Sequence, residues 1–171
     1  MRLRAWMPVA AGTGVAVTLG VYGRFHQPPG GADLAGFLPP LTAKVWLATA
    51  AAVLAVLQLL SALTMYGRLP RVPVRPWTPV AHRWTGRLAF LLSLPVAVHC
   101  LYVLGLRAGD LRVLIHSLSG CLLYGAFVTK MLTLGRPADG GPGWALPAAG
   151  GVVFTAITGA WLTSALWFFA N

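Results

Sequence analysis

Glutamate is absent from this sequence, and aspartate occurs only three times, at Asp33, Asp110 and Asp139. Soluble domains carry charge on roughly a quarter of their residues. Here charged residues make up 9% of the chain, so there is almost no wet surface for them to dress. The scarcity also removes chemistry. All three aspartates fall between apolar runs, which leaves no acidic pair for hydrolysis and no carboxylate proton relay within an apolar segment. Cysteine is limited to Cys100 and Cys121, each inside an apolar run. A buried, inert thiol is the usual fate of such a residue, and a disulfide between them requires a helix geometry that sequence does not fix. There is no Walker-type loop, dinucleotide fingerprint or Ser/His/Asp set.

What the chain does have is apolar length. Hydrophobic residues account for 57%, collected in runs at about 5–22, 45–66, 84–106, 113–134 and 144–169. The last four approach the ~20 residues a helix needs to cross a bilayer core. Breaker-rich connections separate them: Pro28, Pro29, Gly30 and Gly31, then Pro39 and Pro40; Pro70, Pro73, Pro76 and Pro79; and Gly135 through Gly143. The expected fold class is all-α, a single transmembrane domain over 1–171 with five transmembrane helices, the second to fifth forming a four-helix core. The first run also has the basic start and short apolar stretch of a signal peptide. It lacks a clean small-x-small cleavage site before Arg24, which favours an uncleaved helix.

The net charge of +10 does not form a nucleic-acid patch, because the basic residues sit in short segments between apolar runs. With the N-terminus inside, nine of the 13 basic residues are cytoplasmic: Arg2, Arg4, Arg68, Arg71, Arg75, Arg83, Arg87, Lys130 and Arg136. Arg24, Lys44, Arg107 and Arg112 lie outside. The positive-inside rule then places the N-terminus in the cytoplasm and Asn171 outside, in a multi-pass protein of the cell membrane.

Chemistry, if present, rests on four histidines. His26 falls in the first outer loop, where a solvated residue is the plain reading. His82 stands at the cytoplasmic mouth of the third helix among Arg83, Trp84 and Arg87, either as an interfacial anchor or near a quinone or propionate. His99 and His116 lie one to two turns from the outer ends of the third and fourth helices. The short connection 107–112 makes those helices antiparallel neighbours. Two imidazoles at matching depth on facing helices are what a bis-histidine haem requires. Gly120, one turn after His116, lets a flat macrocycle approach. Pro95 kinks the third helix one turn before His99, and Arg107 and Arg112 suit the propionates. His82 and His99, 17 positions apart, fall on faces about 100° apart, so a single haem is expected. Histidines that only hydrogen-bond to Ser117, Ser119, Thr155 or a backbone carbonyl and glue helices together are the structural alternative. A copper site drawing on His26 and Cys100 is another. On the fifth helix Gly151, Thr155, Gly159 and Thr163 form a small-residue stripe. The alanines of the second helix serve packing too, and Gln58 should point into the bundle.

The runs His82-Arg83-Trp84-Thr85-Gly86-Arg87, His99-Cys100-Leu101, His116-Ser117-Leu118-Ser119-Gly120-Cys121 and Lys44-Val45-Trp46-Leu47 resemble an uncharacterised family of small actinobacterial membrane proteins. The His-Arg-aromatic-x-Gly-Arg start with a later histidine is more distantly similar to cytochrome b-561-like and ferric-reductase-like transmembrane domains. That resemblance implies haem b between helices at His99 and His116, although such histidines more often lie about 13 or 14 residues apart and occur as two pairs. The expected function is therefore a b-type cytochrome-like subunit with one haem near the outer face. It would carry electrons between the quinone pool and an outer-facing redox protein, as a subunit of a membrane complex that supplies any reductase activity. A non-redox scaffold or assembly subunit and a copper-handling membrane protein are the competing readings.

Overall fold

The computed structural model describes residues 2–26, 40–136 and 143–171. The expected connections around Pro28 to Pro39 and Pro137 to Pro142, with Asp33 and Asp139, lie outside the described residues. Five long helices follow one another: α1 Arg2–Phe25, α2 Pro40–Met65, α3 Thr78–Leu104, α4 Leu111–Leu134 and α5 Ala145–Ala170. Helices α2 to α5 are each long and apolar enough to cross a membrane, as a multi-pass membrane protein requires.

The helix ends follow from local chemistry. Pro79 enters the first turn of α3, where its missing N–H costs no intrahelical bond. Asp110 caps α4 by accepting a hydrogen bond from the Val113 amide at 3.0 Å. α3 starts six residues before the expected 84, because the polar turn holding His82 and Arg83 is helical without being apolar. The last six residues of α3, His99–Leu104, and the segment Leu162–Leu166 of α5 are wound as π-helix. Pro95 lies one turn before the first of these, where the ladder already lacks a donor. The expected kink is thus a change of winding.

Packing is by small residues. The buried positions are mostly alanines, including Ala51, Ala55, Ala89, Ala126, Ala156 and Ala165, while the large apolar side chains point outward. Soluble cores are built the other way round, and small residues at helix interfaces are the membrane pattern. Ala51, Ala55 and Ile157, with Leu92, Leu123 and Phe154 against them, draw on α2, α3, α4 and α5, so these helices do form a four-helix core. α1 packs on the outer side of α4. The contact is close because Gly12 and Gly125 face each other. A Cβ at Gly12 would overlap the Gly125 carbonyl and the Thr129 hydroxyl.

Two expectations are corrected by this packing. α3 and α4 are antiparallel, as their short connection demands, but their backbones do not pack closely along their length. α3 lies on α2, and α4 lies between α1 and α5. α3 and α4 meet through long side chains: Phe90 stacks on Phe127 at 4.1 Å between ring centres, and the Ser93 and Tyr124 hydroxyls are 2.9 Å apart. The α5 stripe divides as well. Gly159 meets Ser119 and Thr163 reaches toward His116, whereas Gly151 and Thr155 are exposed. Steps of four residues drift by about 40° each, which carries Gly151 off the face that Thr163 occupies.

Candidate functional site

The gap between α3 and α4 opens toward the 105–110 connection as a cavity of about 470 Å³. This is within the range of small-molecule sites. Below it the Phe90–Phe127 stack and the Ser93–Tyr124 hydrogen bond close the bundle. Walls come from α2, α3, α4 and the end of α5, and they are mainly apolar. Four basic side chains also line it: Lys44, Arg107, Arg112 and His116. Among the described residues that line it none is acidic.

His116 is held from behind. Its Nδ1 is 3.0 Å from the Ala160 carbonyl, which can only accept, so Nδ1 carries the proton and Nε2 keeps its lone pair. The Thr163 hydroxyl is 3.4 Å from the same nitrogen. A carbonyl behind Nδ1 is the arrangement that orients a metal-binding imidazole. Gly120 lies one turn further on the same wall, and a Cβ there would meet nothing within 4 Å.

His99 is elsewhere. It is only 5% exposed but does not line the cavity, standing between the outward-facing Val98 and the lining Cys100. The structure therefore does not bring both imidazoles to one wall. The π winding begins at His99, and that feature is not written in the spacing of the histidines.

The arginines divide their duties. Arg112 donates to the Thr163 carbonyl at 2.7 Å, lies 4.0 Å from the Asp110 carboxylate and stacks over Trp167 at 4.1 Å. Arg107 is exposed, and its Nε donates to the Leu104 carbonyl at 3.3 Å. Lys44, absent from the candidate site residues read in the sequence, is half-buried in the wall. The apolar run that starts at Val45 leaves it just outside the span, and only the earlier start of α2 at Pro40 brings it in.

The remaining histidines serve other contacts. His26 is not a solvated loop residue: its ring stacks between Tyr22 at 4.8 Å and Tyr102 at 4.9 Å, and its Nε2 is buried with no hydrogen-bond partner among the described residues. His82 lies 2.7 Å from the Ser61 hydroxyl, and the Gln58 amide donates to the His82 carbonyl and to Thr85. Gln58 thus points inward as expected. Among the described residues no three His, Cys, Asp or Glu side chains group as metal ligands, so the copper set of His26 with Cys100 is not assembled. Cys100 and Cys121 both line the cavity as free thiols.

A second cavity, about 690 Å³, lies between α1, α4 and α5 at the opposite end, with Trp6, Trp144 and Arg136 among its lining residues.

Residues 5–171 match the family of unknown function DUF6529, and the chain belongs to that family. No curated protein and no solved structure matches it.

Proposed function

We propose that this is a five-span membrane protein, α1 included, that holds one haem b in the cavity beside His116 and carries single electrons. α1 joins the spans in this reading because its Gly12 contact with Gly125 binds it along α4. The observation that carries the haem assignment is the oriented imidazole. His116 has its Nδ1 on the Ala160 carbonyl, at the wall of an apolar cavity with a basic lining. A haem b has a flat apolar body, two carboxylates and an iron that takes neutral imidazole nitrogen. The residues present fit such a group held by one histidine.

His99 does not line the cavity as the helix is wound here; in this reading haem binding turns the π segment and brings it in as the second ligand. A π segment departs from an α-helix by one residue of register, and one residue separates His99 from Cys100 on the cavity wall. Bound there, haem supplies one-electron storage between Fe(III) and Fe(II). The side chains supply orientation and exclusion of water. With the 105–110 connection outside, the electrons pass between the quinone pool and an outer-facing redox protein. The likeness of the His82 to Arg87 run to cytochrome b-561-like domains is in keeping with this role.

A scaffold role has one supporting observation, namely that His116 already ties α4 to α5 through Ala160. Colour separates the two. The purified protein, expressed with ample haem, is expected to show a sharp reduced-minus-oxidised α band. His116→Ala should remove it, and His99→Ala should convert a six-coordinate spectrum into a five-coordinate one. A colourless wild type rules out the cytochrome and leaves the scaffold.

A further inference from the structure

We propose that Lys44 makes the cavity an anion site, pairing its ammonium with a carboxylate or phosphate of an amphiphile whose apolar body fills the space. The argument starts from supply and demand of charge. Lys44 lies in the candidate span Leu41–Met65, half-buried, on the wall of the cavity. An ionisable group at such a position calls for a partner. Among the described residues Lys44 makes no hydrogen bond or ion pair. No aspartate or glutamate lies in any of the four candidate spans. The one acid among the described residues, Asp110, caps α4 and lies beside Arg112. Nothing in the described fold therefore neutralises Lys44.

Its surroundings add to the positive field. Arg107 and Arg112 share the lining. The positive end of the α2 dipole lies one turn away and disfavours a cation there unless an anion joins it. Arg112 is already engaged by the Thr163 carbonyl and the Trp167 ring. Among the described residues Lys44 is thus the lining cation with no engagement, and it is deeper in its helix than Arg107 is in the connection. The apolar walls select an amphiphile over a free inorganic ion.

This inference rests on the cavity being a ligand site and deepens the haem reading by naming the group its ligand must carry. The shared chemistry has two sources, a haem propionate or the head of an acidic lipid, and the test separates them. Wild type, Lys44→Gln and Lys44→Arg are purified in neutral detergent and titrated with haem and with haem dimethyl ester, following quenching of tryptophan fluorescence. The same proteins are titrated by calorimetry with oleate and oleyl alcohol. Melting temperatures check that all three are folded. Wild type is expected to prefer an anion over its neutral counterpart by roughly tenfold, the equivalent of about 1.4 kcal/mol. Lys44→Gln should lose that preference and Lys44→Arg should keep it. A Lys44-dependent preference for oleate in a protein that takes up no haem supports the anion site and overturns the haem reading. Haem and its ester binding alike in wild type overturns the anion site and leaves the haem reading standing. A preference unchanged in Lys44→Gln also overturns the proposal, as does the absence of binding by all four probes.

Discussion

Gly120 and Gly125 stand five residues apart on α4 in opposite surroundings, and substitution should tell them apart. A Cβ at Gly125 would run into the Gly12 carbonyl and the Ala16 methyl, whereas at Gly120 it would meet nothing within 4 Å. Gly125→Leu should therefore push α1 off α4 and lower stability by about 1–3 kcal/mol, the usual cost of overpacking. The measure is thermal unfolding in detergent, with protease accessibility of α1 as a second reading. Gly120→Ala should match or exceed wild type, since alanine is the better helix former by about 1 kcal/mol. Gly120→Leu should fold yet lose the haem band, because its side chain enters the cavity. At this scale the sequence was only half legible. The one-turn offset from His116 to Gly120 follows from helical period, so their shared wall could be read. The Gly12–Gly125 contact could not, because nothing in a single sequence says which small residues meet. The bearing of His99 was hidden for a related reason, since it depends on a π segment with no side-chain signature beyond the nearby Pro95.

The helices themselves were legible, because hydropathy length and the breaker-rich connections are properties of the chain alone. Their neighbours were less so. A six-residue connection makes α3 and α4 antiparallel but leaves their packing to the other helices, and α2 and α5 take the places beside them. The clip between α2 and α3 illustrates what fixes such a choice. The Gln58 amide donates to the Thr85 hydroxyl at 2.8 Å and to the His82 carbonyl, and Gly86 leaves room for it. In an apolar surrounding these bonds have no water to fall back on, yet measured interhelical hydrogen bonds in membranes average only about 0.6 kcal/mol. Gln58→Leu should accordingly destabilise by roughly 0.5–2 kcal/mol, allowing for the Thr85 hydroxyl losing its donor. Gln58→Glu is expected to be worse, because it loses the amide donor and adds a charge. Denaturant titration in detergent reads both. A Gln58→Leu variant as stable as wild type would show that α2 and α3 are joined by small-residue packing alone.

The molecule as a whole has a wet polarity at only two places, its ends, and these differ. One end carries Arg68, Arg71 and Arg75 between α2 and α3, with Arg136 after α4. The other carries Arg107 and Arg112 beside the cavity mouth. Exposed tryptophans mark both ends, Trp6, Trp77, Trp84 and Trp144 at the first and Trp46 and Trp167 at the second, as aromatic belts do. The belts fix depth but not direction, so direction rests on the bias of basic residues. In the proposed orientation that bias would put the cavity mouth on the outer side, where an outer redox partner or an acidic lipid of the outer leaflet would meet it. Site-directed labelling checks this in intact cells. Ala108 and Arg75 are exposed positions in the two opposite connections, and Cys100 and Cys121 are the native thiols to replace with alanine first. In that background Ala108→Cys should react with a membrane-impermeant maleimide in whole cells. Arg75→Cys should react only after the membrane is opened. The reverse pattern would turn the molecule over and place the cavity mouth at the cytoplasm. Haem or anion binding would survive that outcome, since it depends on the residues of the cavity and not on which side of the membrane they face. The outer-facing electron acceptor would not, and a cytoplasmic partner would take its place.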